Sequence, residues 1–189
     1  MQTTTVRIKG TAPLLMHNGQ LADPMNEMTR ALSEAVKNAK KAKTDAAYAT
    51  MQKAEFMGGL YLNEKLEPCI PGEVLEGTIC EGAKKFKQGK DVKAGLMVVG
   101  NFPLIYKGPR DPEKMWKTGA FHKTLGVIIG RNRVMRTRPM FVGWEVEFAV
   151  TFNEELINPK DVLKFLRKSG AEVGIGDYRP RYGRFEVVE

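Results

Sequence analysis

The chain opens on an alternation. In "TTTVRIKG", Val6 and Ile8 fall on one side of an extended backbone and Arg7 and Lys9 on the other, which predicts a half-buried strand. The period then lengthens. Met25, Met28, Leu32, Ala35, Val36 and Ala39 recur at helical spacing after Asp23-Pro24, which reads as an N-cap followed by a first-turn proline. Lysines in "KNAKKAKTD" interrupt that stripe. Thr44-Asp45 either caps a second helix reaching about Phe56 or lies within one long helix. Residues 25–56 are thus expected as a helical insertion projecting from the core.

Beyond it, "GGLYLNEKLEPCIPG" reads as a hairpin around Asn63 to Lys65, closed at Pro71-Gly72. Val74, Leu75, Ile79, Ala83 and Phe86 share one helical face, with lysines in the last turn to suit the helix dipole and Gly89 as the expected end. "GLMVVGNFPLIY" predicts a short apolar strand. Residues 107–125 form a loop-rich insertion with Trp116 and Phe121, and residues 126–152 predict two strands. In the second of these, Val146, Phe148, Val150 and Phe152 alternate with Glu145, Glu147, Ala149 and Thr151. Asn158 and Pro159 start a helix that Gly170 is expected to end, and a last strand covers residues 184–188. With the insertions set aside, the order is βαββαβ. That predicts an α+β chain with a ferredoxin-like (RRM-like) core, as a single domain over residues 1–189.

Composition narrows the function classes. The 189 residues are 42% hydrophobic, enough for one substantial core, and no run is long and apolar enough for a membrane span. "MQTTTVRIKG" has no apolar leader segment, and two cysteines with two histidines are too few for a structural zinc site. The expectation is a cytoplasmic, reduced protein without metal or cofactor. A net charge of +8 favours an anionic partner.

That charge is clustered. Arg131, Arg133, Arg136 and Arg138 sit in "RNRVMRTR", and Arg179, Arg181 and Arg184 in "GIGDYRPRYGRFEVVE". Within each pair, Arg131 with Arg133 and Arg136 with Arg138, strand spacing puts both on one face, which suits phosphates spaced along a backbone. Tyr178, Tyr182 and Phe121 are the candidate surfaces on which unpaired bases stack. Lys40 and Lys41 add charge on the helical insertion. Gly174 and Gly176 follow a helix and precede a strand, the reverse of a dinucleotide fingerprint, so with Gly72 they read as structural loop glycines. Candidates for acid–base chemistry are few: His17, with Asp23 near it, and His122.

Three stretches carry a likeness to a known family. "TVRIKGTAPLLMHNG", "PCIPGEVLEGTICEGAKKF" and "GAEVGIGDYRPRYGRFEV" resemble, in order and spacing, the first strand and loop, the first helix, and the C-terminal glycine-rich loop of the RAMP superfamily. The chain is similar to the crRNA-binding backbone subunits of CRISPR effector complexes, and in particular to solitary phage-borne proteins of this type. The resemblance implies a protein that binds single-stranded RNA along a groove and stacks into a helical filament, with residues 25–56 as a thumb-like element. It also implies a bacterial cell, with phage infection as one setting. Residues and resemblance together lead us to expect a non-enzymatic protein coating single-stranded DNA or RNA. The alternatives are a metal-independent endoribonuclease using His17 or His122, and a structural or inhibitory protein docking on another nucleoprotein complex.

Overall fold

The opening alternation becomes β1 (Gln2–Gly10), with Val6 and Ile8 buried and Arg7 and Lys9 exposed. The computed structural model describes residues 1–188, with Ile129 described by its backbone alone. In chain order β1 is followed by β2 (Leu14–Leu15), a 3-10 turn (Gly19–Ala22), α1 (Glu27–Ala42), α2 (Asp45–Gly59), β3 (Cys69–Pro71) and α3 (Gly72–Lys84). Then come α4 (Gly89–Gly95), β4 (Leu96–Met97), β5 (Asn101–Pro103), α5 (Pro112–Thr118) and β6 (His122–Ile129). The last elements are β7 (Asn132–Phe141), β8 (Glu145–Phe152), α6 (Pro159–Glu172) and β9 (Phe185–Val188). The chain is mixed α and β with antiparallel sheets. Among the described residues no helix is long and apolar enough to cross a membrane.

Two compact units form, where one domain was expected. The first comprises Met1–Leu15, Leu62–Gly108 and the chain from Phe141 onward. Its sheet has the order β4-β8-β1-β9, with β1 antiparallel to both β8 and β9, and β4 antiparallel to β8. One face buries Val6, Ile8, Val146, Phe148, Val150 and Phe152. Leu75 and Ile79 of α3, and Val162, Phe165 and Leu166 of α6, complete this core. Each large side chain so buried stabilises the fold by about 1.5–3 kcal/mol. Close backbone approach sets the first residue of α3, since a Cβ on Gly72 would lie 1.8 Å from the Val98 carbonyl oxygen.

The second unit comprises Met16–Tyr61 and Pro109–Met140, so residues 25–56 and 109–125 of the two expected insertions belong together. Two helices form rather than one long one. Lys43 takes a left-handed conformation (φ 52°) after α1, and the Thr44 hydroxyl accepts the Ala47 N–H to start α2. Phe56 of α2 lies 5.5 Å from the Trp116 ring of α5 and 6.1 Å from His122. Lys53 and Glu113 pair at 2.8 Å.

Several local expectations are corrected. Asp23 caps the turn at Met25, and the N-cap of α1 is Asn26, whose side chain accepts the Met28 N–H. Met25 therefore precedes the helix and is 71% exposed. Gly89 opens α4 and does not end α3, which stops at Lys84. Residues 107–125 contain α5, started by Asp111 and Pro112 with the same chemistry that Asn158 and Pro159 use for α6. Residues 126–152 hold the end of β6, all of β7 and β8, because Gly130 (φ 62°) and Gly143 (φ 61°) both reverse the chain. Gly170 lies inside α6, where a Cβ would stand 2.1 Å from the Phe185 carbonyl oxygen; there glycine permits helix–strand contact and does not terminate the helix.

Candidate nucleic-acid interface

The first arginine cluster lies on a hairpin. β6 and β7 pair from His122↔Pro139 to Ile129↔Asn132, so Arg133 stands opposite Ile128, Arg136 opposite Leu125 and Arg138 opposite Lys123. Period-two alternation puts Arg136 and Arg138 on one face and Arg133 with Thr137 on the other. Arg131 is in the turn, not on the strand, so it does not share a strand face with Arg133 as expected. Arg131 and Arg133 are exposed and have no ion-pair or hydrogen-bond partner among the described residues. Beside Arg133, Ile128 is 71% and Met135 56% exposed.

Arg136 is in a different situation. Its Nη1 donates at 2.7 Å to Glu55, whose other carboxylate oxygen accepts the Thr137 backbone N–H at 2.8 Å. Glu55 is only 1% exposed. A buried carboxylate thus satisfies a strand-edge donor and neutralises Arg136, which removes that side chain from the set of open phosphate contacts. Sequence reasoning missed Glu55. Its one signal is a lone acid in the otherwise apolar "AEFMGGL".

The second cluster lies on the C-terminal loop. Gly174 (φ 80°) and Gly176 (φ 82°) take left-handed conformations, and the loop is tied by Ile175 N–H to Gly183 O and by Asp177 N–H to Leu15 O, both at 2.8 Å. Arg179 and Arg181 are exposed and, like the hairpin pair, have no partner among the described residues. Arg184 instead donates to the Pro180 and Ala171 carbonyls at 2.9 and 2.8 Å, a clasp holding the loop shut. Tyr182 is buried, at 7% exposure, and is withdrawn from stacking; Tyr178 keeps 41% of its surface and meets Tyr182 edge-on at 5.9 Å. Of the residues expected to act together here, Arg179 and Arg181 are exposed without a partner among the described residues, and Tyr178 is exposed at the loop surface.

The other candidates divide similarly. Lys40 and Lys41 are exposed in the last turn of α1, and Phe121 is half-buried, its carbonyl accepting the Met140 N–H. His17 is exposed, its carbonyl accepting from the Tyr61 hydroxyl, while Asp23 is engaged as a turn cap. His122 stacks on Trp116 at 4.3 Å, and its Nδ1 is buried without a hydrogen-bond partner among the described residues. Burial pushes its pKa below the ordinary 6.5. The unfolded chain therefore binds the proton more readily than the folded one. This contribution is complete above about pH 7 and is lost as pH falls through 6.5 toward the lower folded value. Thermal melts from pH 7.5 to 5.5 are expected to show a falling midpoint, and His122→Phe, which keeps the ring contacts, to flatten that fall; an unchanged slope in the variant would contradict this role for His122.

The solvent face of the sheet is no stacking platform. It carries Arg7 and Lys9 against Glu145, Glu147 and Glu186, with Arg7 bonded to Glu145 at 2.5 Å, and the other side chains there are Thr3, Thr5, Met97, Ala149, Thr151 and Val188. A net negative, ring-free surface repels a polyanion. No protein-family model matches the chain, and no curated protein matches it.

Proposed function

We propose that the protein binds single-stranded DNA or RNA through the strand's sugar-phosphate backbone and self-associates along it as a non-enzymatic coat in a bacterial cytoplasm. The observation that carries this reading is that Arg131, Arg133, Arg179 and Arg181 are all exposed with no carboxylate or other partner among the described residues. Four unneutralised guanidinium groups favour a polyanion, and the exposed Tyr178 beside two of them supplies a stacking surface for an unpaired base.

A ferredoxin-like core is part of the same reading. The order β4-β8-β1-β9, antiparallel at every ladder, with α3 following the first core strand and α6 the third, supports it. So does the RAMP resemblance, which also motivates self-association. The acidic solvent face argues that contact is made by the hairpin and loop rather than by the sheet, unlike a typical RNA-recognition domain. Photocrosslinking of an iodouracil-bearing single strand, followed by peptide mapping, tests this. Crosslinks at Tyr178 and in the peptide carrying Arg131 and Arg133 are expected; crosslinks confined to the β1–β8 face would contradict it.

A further inference from the structure

Helices α3 and α4 line a cleft of about 690 Å³ in the first unit, whose lining includes none of the clustered arginines. Gly77, Cys80, Gly89 and Val92 provide small or apolar lining. No atom lies within 4 Å of where a Cβ on Gly77 would sit, so the glycine leaves the helix surface open there. The charged lining consists of Glu73, Glu76 and Glu81 with Lys84, Lys87, Lys90 and Lys93.

Charge accounting makes the cleft cationic. Glu81 pairs with Lys84 at 2.5 Å, and Glu76 accepts the Val98 backbone N–H at 3.2 Å. That leaves Glu73 and Glu76, whose charge a backbone N–H does not neutralise, against Lys87, Lys90 and Lys93, three exposed lysines with no partner among the described residues, so four lysines outweigh three glutamates by one charge. A volume in the usual range for small-ligand sites, an apolar lining and several ammonium groups at one opening suit a multiply charged anion on an apolar body. From this geometry we propose that the α3–α4 cleft binds a small organic phosphate or pyrophosphate, with Lys87, Lys90 and Lys93 holding the anionic group and its flat or apolar body lying over Gly77 and Cys80. This site does not depend on strand binding.

The test uses ADP labelled on its ribose with a methylanthraniloyl fluorophore, titrated with the intact protein and followed by anisotropy. Saturable binding is expected, displaced by unlabelled ADP and far less by adenosine or by inorganic pyrophosphate alone. Gly77→Leu fills open space on a helix and favours helix formation, so it is expected to fold and to abolish binding. Lys87→Gln/Lys90→Gln/Lys93→Gln is expected to weaken binding at least about tenfold, roughly 1.4 kcal/mol. Independently, saturating ADP should slow alkylation of Cys80 by iodoacetamide at least severalfold. Cys69 does not compete, being buried with its thiol pushed up to about 11. Absence of binding at millimolar ADP, or binding unchanged in Gly77→Leu, would overturn the assignment. Displacement by oligothymidylate but not by ADP would give the cleft to a strand and overturn it equally.

Discussion

Replacing Glu55 by alanine is expected to lower stability by about 3 kcal/mol, read as a shift in the urea midpoint of the second unit's unfolding. The carboxylate is buried and accepts from both Arg136 and the Thr137 N–H. Its removal leaves an orphaned strand-edge donor, which costs about 1–3 kcal/mol, and a guanidinium without its counter-charge. Breaking a fully buried pair costs about 3–5 kcal/mol, but the Arg136 side chain is 32% exposed and regains water, which places the sum near the lower bound. Glu55→Gln keeps an acceptor for the N–H and is expected to cost about half as much. A midpoint change in Glu55→Ala equivalent to less than about 1 kcal/mol would mean that the carboxylate does not hold the hairpin edge.

The second large effect is on binding. Arg131→Ala/Arg133→Ala/Arg179→Ala/Arg181→Ala is expected to weaken single-strand affinity about 100-fold at moderate salt and to flatten its salt dependence. Each phosphate contact to a single strand contributes about −0.7 to the slope of log K against log salt, so four contacts account for about −3. Tyr178→Ala separates stacking from charge. It should lower affinity by about 1–3 kcal/mol while leaving the slope alone, because a base–ring contact releases no counterions. The reverse control is Arg184→Ala, whose partners are the Pro180 and Ala171 carbonyls. It should loosen the loop by about 1 kcal/mol without lowering the slope by a full contact. If all four arginines are removed and the slope is unchanged, the phosphate contacts lie elsewhere.

Elements with repeated local signals were legible in the sequence. β1, β8 and α6 each combine a clean hydrophobic period with an identifiable start, and all three appear close to their expected places. Glycines misled where one residue type serves opposite ends. Gly170 reads as a helix stop, yet it is a close contact with β9, which depends on a strand fifteen residues later in the chain. Gly130 and Gly143 both signal turns, but the pattern of residues 126–152 predicts two strands where three meet. The arginine clusters were legible as composition, while their electrostatic state was not. Arg136 is neutralised by a residue 81 positions away, and Arg184 is held by backbone carbonyls that no side-chain pattern reveals. Tyr178 and Tyr182 are four residues apart in one loop, yet one ring is exposed and the other buried, a difference set by tertiary packing that no local pattern encodes.

The most direct measurement of the central claim is a fluorescence-anisotropy titration of matched single-stranded DNA, single-stranded RNA and duplex DNA at about 50 and 200 mM salt. Saturable binding of single strands, tighter than to duplex and about 50-fold weaker at the higher salt, is the predicted result for four phosphate contacts. No saturable binding to either single strand, or binding indifferent to salt, would contradict the account.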